Sequence, residues 1–313
     1  MTRKEARQLV RGLTFLSPWI GGFLAFTLVP IVLAFYYSLC DYSLLQSPVL
    51  IGLSNYRALM GDPIFWKSLI NTLIYAAIAL PAGMLVSLGL AILLNQRTLG
   101  QPLFRTILFI PSLVPTVASA MLWLWLFNTK LGLINTLLAT APMQALLGAL
   151  NTVLHALHLP RIETPIGWLT DPAWALPSLA IMSLWGVGYT VVIYLAGLQD
   201  VPRSLIEAAE IDGAGAWQRL RHVTLPMLSP VIFFNLIMAI IGTLQAFAIP
   251  YIMTGGGPAR ATYFYTMYLY DNAFRYLKMG YACSMAWIQF LLVVLLSALA
   301  FWSSKRWVHY QGQ

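Results

Sequence analysis

The chain has 313 residues, of which 59% are hydrophobic and 9% charged, with a formal net charge of +8 and a mean hydropathy of +0.76. An ordinary soluble domain carries roughly a quarter charged residues, so this surface cannot face water, which excludes a soluble enzyme. The positive charge needs no nucleic-acid partner; it is expected to set membrane topology and to attract anionic membrane lipid.

Crossing the hydrocarbon of a bilayer takes roughly 20 apolar residues in a helix, and six stretches of about that length follow in chain order. The first, residues 13–39, comes after Arg3, Lys4, Arg7 and Arg11. It is too long for a signal-peptide core, holds Pro18 and Pro30, lacks a small-residue cleavage site, and is expected to be retained. The second, residues 71–94, carries Pro81 and ends at Asn95, Gln96 and Arg97. The third, residues 105–127, opens at Arg105 and contains Pro111 and Pro115. An external segment follows, residues 128–173, whose runs at Leu131–Leu138 and Met143–Leu157 are expected to form short amphipathic helices and a docking face. The fourth span, residues 174–197, the fifth, residues 231–252, and the sixth, residues 282–303, complete the set, with Pro177 and Pro250 near helix ends. Between the last two lie a flexible turn, Thr254-Gly255-Gly256-Gly257-Pro258, and an aromatic stretch, Tyr263–Tyr270. Backbone polar groups in lipid must be paired internally, so the spans are helices. The expected fold is all-α, a polytopic membrane protein with six transmembrane helices in one domain over residues 1–313. Its prolines are expected to kink helices around a cavity.

Lys and Arg set the orientation. Short segments hold the N-terminal group, then Arg97 and Arg105, then Arg203, Arg219 and Arg221, then Lys305 and Arg306, while the alternate segments spread theirs over much longer loops. The positive-inside rule places both termini in the cytoplasm.

The 18 Lys and Arg and 10 Asp and Glu residues lie outside the span interiors. Ion-coupled carriers keep an ionisable residue in the membrane to take and release the driving ion; the spans offer none, so an ion-coupled secondary carrier is only the alternative reading. No lysine follows a glycine, which removes the P-loop and places any nucleotide elsewhere. No G-x-S-x-G or H-E-x-x-H pattern suggests catalysis. His155 and His158 sit one turn apart with no third ligand near in sequence, so no metal site is expected. Cys40 and Cys283 lack ligand spacing and are expected to be free thiols.

Residues 200–230 form a loop longer and more polar than a connection requires. Ser204 with Glu207 reads as a capping box that starts a helix at Leu205, and Gly213 is placed to end it in the left-handed conformation. Gln218–His222 reads as a second turn stopped by Pro226. Glu207-Ala208-Ala209, then Gly213 after three residues, then Val223-Thr224-Leu225-Pro226 after nine more, resemble the EAA loop of permease subunits of binding-protein-dependent ABC importers. Val223 departs, standing where the family usually has Ile. Leu195–Leu198, Asp212-Gly213-Ala214 and Thr254–Pro258 are similar to the carbohydrate-uptake branch, which includes the larger maltose-importer permease and the glycerol-phosphate and trehalose permeases. The likeness covers nearly the whole chain.

This resemblance implies a type I ABC importer permease fold in a bacterial inner membrane. It implies that Glu207, Ala208, Ala209, Asp212, Gly213, Leu225 and Pro226 couple the chain to an ATPase, with Glu207 capping its helix, making polar contacts, or both. The implied partners are a second homologous permease, a dimer of ATP-binding subunits and an extracytoplasmic solute-binding protein. The chain itself would bind no cofactor, ATP and Mg belonging to the ATPase.

A sugar site needs aromatic faces and fixed hydrogen-bond partners. The fourth helix offers Ser183, Trp185, Tyr189, Thr190 and Tyr194, and the fifth offers Asn235, Thr243, Gln245, Phe247 and Tyr251. By analogy with the maltose-importer permease, the pathway would pass Ser183, Gly186, Val187 and Thr190, then Gly242, Thr243, Ala246 and Phe247. Small and polar residues at such positions also serve helix packing. The expected solute is a sugar or related polyol, and the lack of an intramembrane Arg or Lys favours a neutral one.

Overall fold

A computed structural model describes residues 3–96, 100–156 and 161–309; Arg97, Leu157 and His158, named above, lie outside the described residues. The described chain is helical apart from one antiparallel pair, Cys40–Asp41 with Val49–Leu50. Four helices are long and apolar enough to cross a bilayer: Arg11–Ser38, Pro63–Asn95, Ala216–Leu244 and Met279–Ser304. Two bent pairs, Gln101–Leu113 with Thr116–Leu126 at 99° and Pro172–Trp185 with Gly188–Gln199 at 52°, bring the spans to six. Large apolar side chains point outward from them, Phe26 at 85% exposure among them. Such a surface is stable only against lipid.

Three spans are broken where continuous helices were expected, the third, the fifth and the fourth, which bends at Gly186 and Val187, and the second differs in where it starts. The second begins earlier, at Pro63, because Asp62 accepts the Ile64 N–H at 2.8 Å and ends the preceding turn. The third breaks at Val114 and Pro115, both extended. Proline pushes the residue before it out of the helical region, whereas Pro111 sits inside an intact helix. The fifth stops at Leu244 and resumes as Ala248–Thr254. Pro250 has no N–H for the Ala246 carbonyl four residues back, and Thr266 Oγ1 takes that carbonyl instead at 2.5 Å.

Pro226, in contrast, does not stop its helix, which runs on from Ala216 to Leu244. The turn Leu220–Thr224 is widened to a π turn, with the Leu225 N–H reaching Leu220 O. The wider turn relieves the clash between a proline ring and the carbonyl four residues before it.

The chain divides into two compact units, one comprising residues up to Phe65 with Tyr268–Leu292, the other Trp66–Met267 with residues from Val293 on. In the first, Asn55 Nδ2 donates to Ser38 O and Cys40 O at 3.0 and 2.9 Å, and the Gly280 N–H donates to Tyr42 O at 3.0 Å. Asp62 accepts from the Tyr268 hydroxyl and, at 2.6 Å, from that of Tyr281. Burial pushes the Asp62 carboxyl up, but these hydroxyls and the Ile64 and Phe65 N–H groups outweigh it and hold the carboxyl below its usual range. Burial, followed by the bond to Asp62, pushes the Tyr268 phenol up to about 12.

A carboxyl whose folded pKa is lowered stabilises fully above its unfolded value, about 3.9, and loses that contribution as pH falls through the folded value. Asp62→Asn is therefore expected to lower stability at neutral pH by roughly 1 kcal/mol, discounted for partial solvent screening. It should also flatten the acid-side loss below about pH 4. Thermal melts in detergent across pH test both; parallel wild-type and variant curves would sink the assignment.

The second unit has two apolar clusters. One gathers Phe127, Trp168, Leu179, Phe264 and Met267, with ring contacts Trp123–Phe127 at 4.9 Å and Phe127–Trp168 at 5.3 Å. The other centres on Ala91, Tyr194, Leu195 and Leu228. Gly197 lets two helices of this second cluster approach: a Cβ there would meet Leu228 Cδ1 and Val231 Cγ2 at 2.8 Å. Small residues at such crossings are what bring helices together in lipid. Gly197→Val is expected to cost about 1–3 kcal/mol through overpacking, seen as a lowered melting temperature of the purified protein.

Candidate functional site

The three helix breaks of the second unit face two cavities. One, of about 280 Å³, is lined by Tyr75, Gly83, Ser183, Gly186, Thr190 and Asn235, among others. The other, of about 520 Å³, is lined by Tyr75, Thr116, Gly242, Thr243, Gln245 and Phe247, among others. Tyr75, Ala239 and Thr243 border both. Gly186 and Val187 form the break of the fourth span, Thr116 restarts the third, and Gln245–Phe247 form the break of the fifth. Irregular backbone at membrane depth survives where it lines a cavity or is buried in protein.

The cavity walls offer hydroxyls, amides and aromatic faces. Tyr75 and Ser183 both line the smaller cavity, and Ser183 Oγ donates to Ala180 O at 2.7 Å. Asn235 is buried and donates to Val231 O at 3.0 Å. Among the described residues, no charged side chain borders either cavity. These groups can hold a neutral, hydroxyl-bearing molecule, and none is arranged as a nucleophile with its base.

The loop after the fourth span is the second constellation. Its first helix is Arg203–Ile211, two residues earlier than the capping-box reading placed it. Pro202, at φ −58° and ψ 125°, is the N-terminal flanking residue and carries no side-chain cap, so Ser204 and Glu207 lie inside the helix. Gly213, at φ +78°, closes it. The Ala214 N–H returns to Ala209 O at 2.9 Å and the Gly213 N–H to Glu210 O at 3.0 Å, a Schellman pair. Gln218 Oε1 accepts the Gly215 N–H at 2.7 Å and opens the next helix. Arg219 then pairs with Glu210, bracing the two helices. From this rigid knob Ile211 projects with 87% exposure and Trp217 with 69%.

Residues 79–309 match the family described as binding-protein-dependent transport system inner membrane component. The chain belongs to this permease family. The permease is 36% identical over 301 residues to the lactose transport system permease protein LacF of Rhizobium radiobacter, covering 95% of this chain and 94% of that one. It is 35% identical to the probable ABC transporter permease protein YesP of Bacillus subtilis (strain 168), covering 100% and 96%. The sulfoquinovosyl glycerol transport system permease protein SmoG of Agrobacterium fabrum is 34% identical over 80% of this chain and 75% of that one. In fold the permease resembles a solved bacterial alginate ABC transporter in complex with an alginate pentasaccharide-bound periplasmic protein. That match has a TM-score of 0.76 over 97% of this chain and 96% of that chain, at 21% identity. The protein is thus a multi-pass inner-membrane subunit of a binding-protein-dependent transport system, a transport component rather than an enzyme.

Of the permease's sequence-predicted pathway residues, Ser183, Gly186, Val187, Thr190 and Thr243 border the smaller cavity. Gly242, Thr243, Gln245, Ala246 and Phe247 border the larger. Trp185, Tyr189 and Tyr251 border neither: Trp185 packs edge-on against Trp123, Tyr189 against Phe109, and Tyr251 stacks on Phe247. The second span was identified, but its side chains were not expected on the pathway. Tyr75, Ala79 and Gly83, all on the smaller cavity, recur every fourth residue, which puts one aromatic and two small residues on a single helix face. In the loop, Glu207, Ala208, Asp212 and Gly213 are exposed, whereas Ala209, Leu225 and Pro226 are half-buried.

Proposed function

We propose that the permease lines, with a second homologous permease, the path of an ATP-driven importer for a neutral sugar or small polyol. The observation that carries this reading is the pair of uncharged, hydroxyl- and aromatic-lined cavities at the helix breaks. Cavities of a few hundred Å³ suit a small ligand. The sugar named for LacF supports the substrate class. The external segment 128–173 offers a face for the solute-binding protein. A dimer of ATP-binding subunits, carrying ATP and Mg, docks on the loop through Glu207, Ala208, Ala209, Asp212, Gly213, Leu225 and Pro226. Both termini then lie in the cytoplasm, as the positive-inside rule requires.

The test is purification of the assembly and measurement of its ATPase with and without the loaded binding protein. Stimulation by the loaded form is expected; uptake by the isolated permease under an ion gradient would overturn the proposal. Tyr75→Ala should cut sugar uptake about tenfold, the equivalent of one lost hydrogen bond or aromatic contact. Assembly and basal ATPase should persist. Unchanged uptake would remove Tyr75 from the path.

A further inference from the structure

We propose that the permease holds an anionic phospholipid in a cleft at the converging ends of its second, third and fourth spans. The cleft, about 210 Å³, is walled by Leu94, Leu108, Val191 and Leu195 and has two strongly polar side chains, Arg105 and Gln199. Arg105 lies near the start of Gln101–Leu113, Gln199 is the last residue of Gly188–Gln199, and Leu94 is in the last turn of Pro63–Asn95. The wall runs from Gln199 back to Gly188, about 16 Å at ~1.5 Å per helical residue. At Gly188 a Cβ would meet Leu108 O at 2.8 Å and Phe109 Cα at 3.1 Å, so the deep end is shut by backbone contact.

A polar mouth over an apolar interior fits a headgroup with its acyl chain, whereas a sugar would need partners along its whole length. The mouth also has an unmet need. Arg105 Nε is buried and has no hydrogen-bond partner among the described residues. A buried donor left unpaired is unfavourable, and the planar guanidinium suits a phosphate better than any neutral group. The inference rests on the orientation proposed above, which sets this mouth in the cytoplasmic leaflet, where anionic lipid is concentrated.

The experiment uses the native assembly in nanodiscs of phosphatidylcholine doped with phosphatidylglycerol carrying a photoreactive acyl chain. Label is expected on the segments holding Leu108 and Leu195, displaced by unlabelled phosphatidylglycerol but not by phosphatidylcholine or inorganic phosphate. Arg105→Gln should lower labelling about tenfold, the loss of one charge-assisted bond, and Arg105→Lys should restore part of it. Equal competition by phosphatidylcholine, displacement by inorganic phosphate, absence of label from the cleft, or labelling unchanged in Arg105→Gln would each overturn the proposal. The competition arm uses the unmodified protein, so its outcome does not depend on a variant folding. Orientation is read separately, from an impermeant maleimide on Lys305→Cys in sealed vesicles with Cys40 and Cys283 changed to serine. Loss of labelling thus counts against the site, and reversed accessibility counts against the orientation.

Discussion

Ile211→Asp is expected to abolish ATP-driven uptake while leaving the permease folded in the membrane. Ile211 and Trp217 are apolar side chains on the most polar loop of the chain, 87% and 69% exposed. Ile211 ends the helix Arg203–Ile211 and Trp217 lies in the first turn of the helix that begins at Ala216, the two held in place by the Gly213 turn and the Glu210–Arg219 pair. A rigid polar knob with an apolar tip has the anatomy of a docking surface, whose affinity concentrates in a few aromatic or aliphatic anchors. Placing a carboxylate at such an anchor costs at least about 3 kcal/mol on burial, roughly a hundredfold in affinity. Because Ile211 is 87% exposed among the described residues, the permease's own stability should change by less than about 0.5 kcal/mol. Trp217→Ala should weaken association by about 2 kcal/mol or more. Co-purification of the ATP-binding subunits and stimulated ATPase are the measurements. A fully coupled Ile211→Asp assembly would place the contact elsewhere.

Arg219→Gln makes the same point from inside the loop, since it leaves the apolar tip intact and removes only the brace. A smaller loss of coupling than that of Ile211→Asp follows, because an exposed ion pair contributes at most about 1 kcal/mol.

What was legible in the sequence followed from rules that act over a few residues. Apolar length located all six spans, and Gly213 announced its left-handed turn because only glycine adopts that region without penalty. The errors arose where a local rule competed with a distant partner. Pro226 reads as a stop, yet the π turn at Leu220–Thr224 carries the helix through it. The fifth span reads as continuous, yet Thr266, twenty residues away, takes the Ala246 carbonyl that Pro250 frees. Ser204 and Glu207 match a capping pattern, but the helix already begins at Arg203, directly after Pro202. In the cavities, the fourth and fifth helices could be singled out by polar residues in an apolar run. Tyr75, Ala79 and Gly83 resemble any packed stripe until the fold sets them on the same cavity as Ser183.

Asn135→Leu is expected to be the most destabilising single change in residues 128–173. Asn135 is 7% exposed, and its side chain uses its full hydrogen-bonding capacity. Nδ2 donates to Thr129 O at 3.0 Å and Ile166 O at 2.9 Å, while Oδ1 accepts from Ile166 N at 3.2 Å and Trp168 Nε1 at 3.1 Å. One amide thereby ties the start of the segment to its end, just where Trp168 enters the aromatic cluster with Phe127 and Trp174. Leucine nearly matches the volume but pairs with none of these groups. Each orphaned group costs about 1–3 kcal/mol, and with some regaining water the net loss should be about 3–5 kcal/mol. Melting in detergent and proteolysis of residues 128–173 measure it. On the proposed orientation residues 200–230 lie at the other end of the spans, so the proposed ATP-binding subunits should still co-purify while stimulation by the loaded binding protein is lost. Wild-type melting and undiminished protease protection would show that this amide does not hold residues 128–173 together.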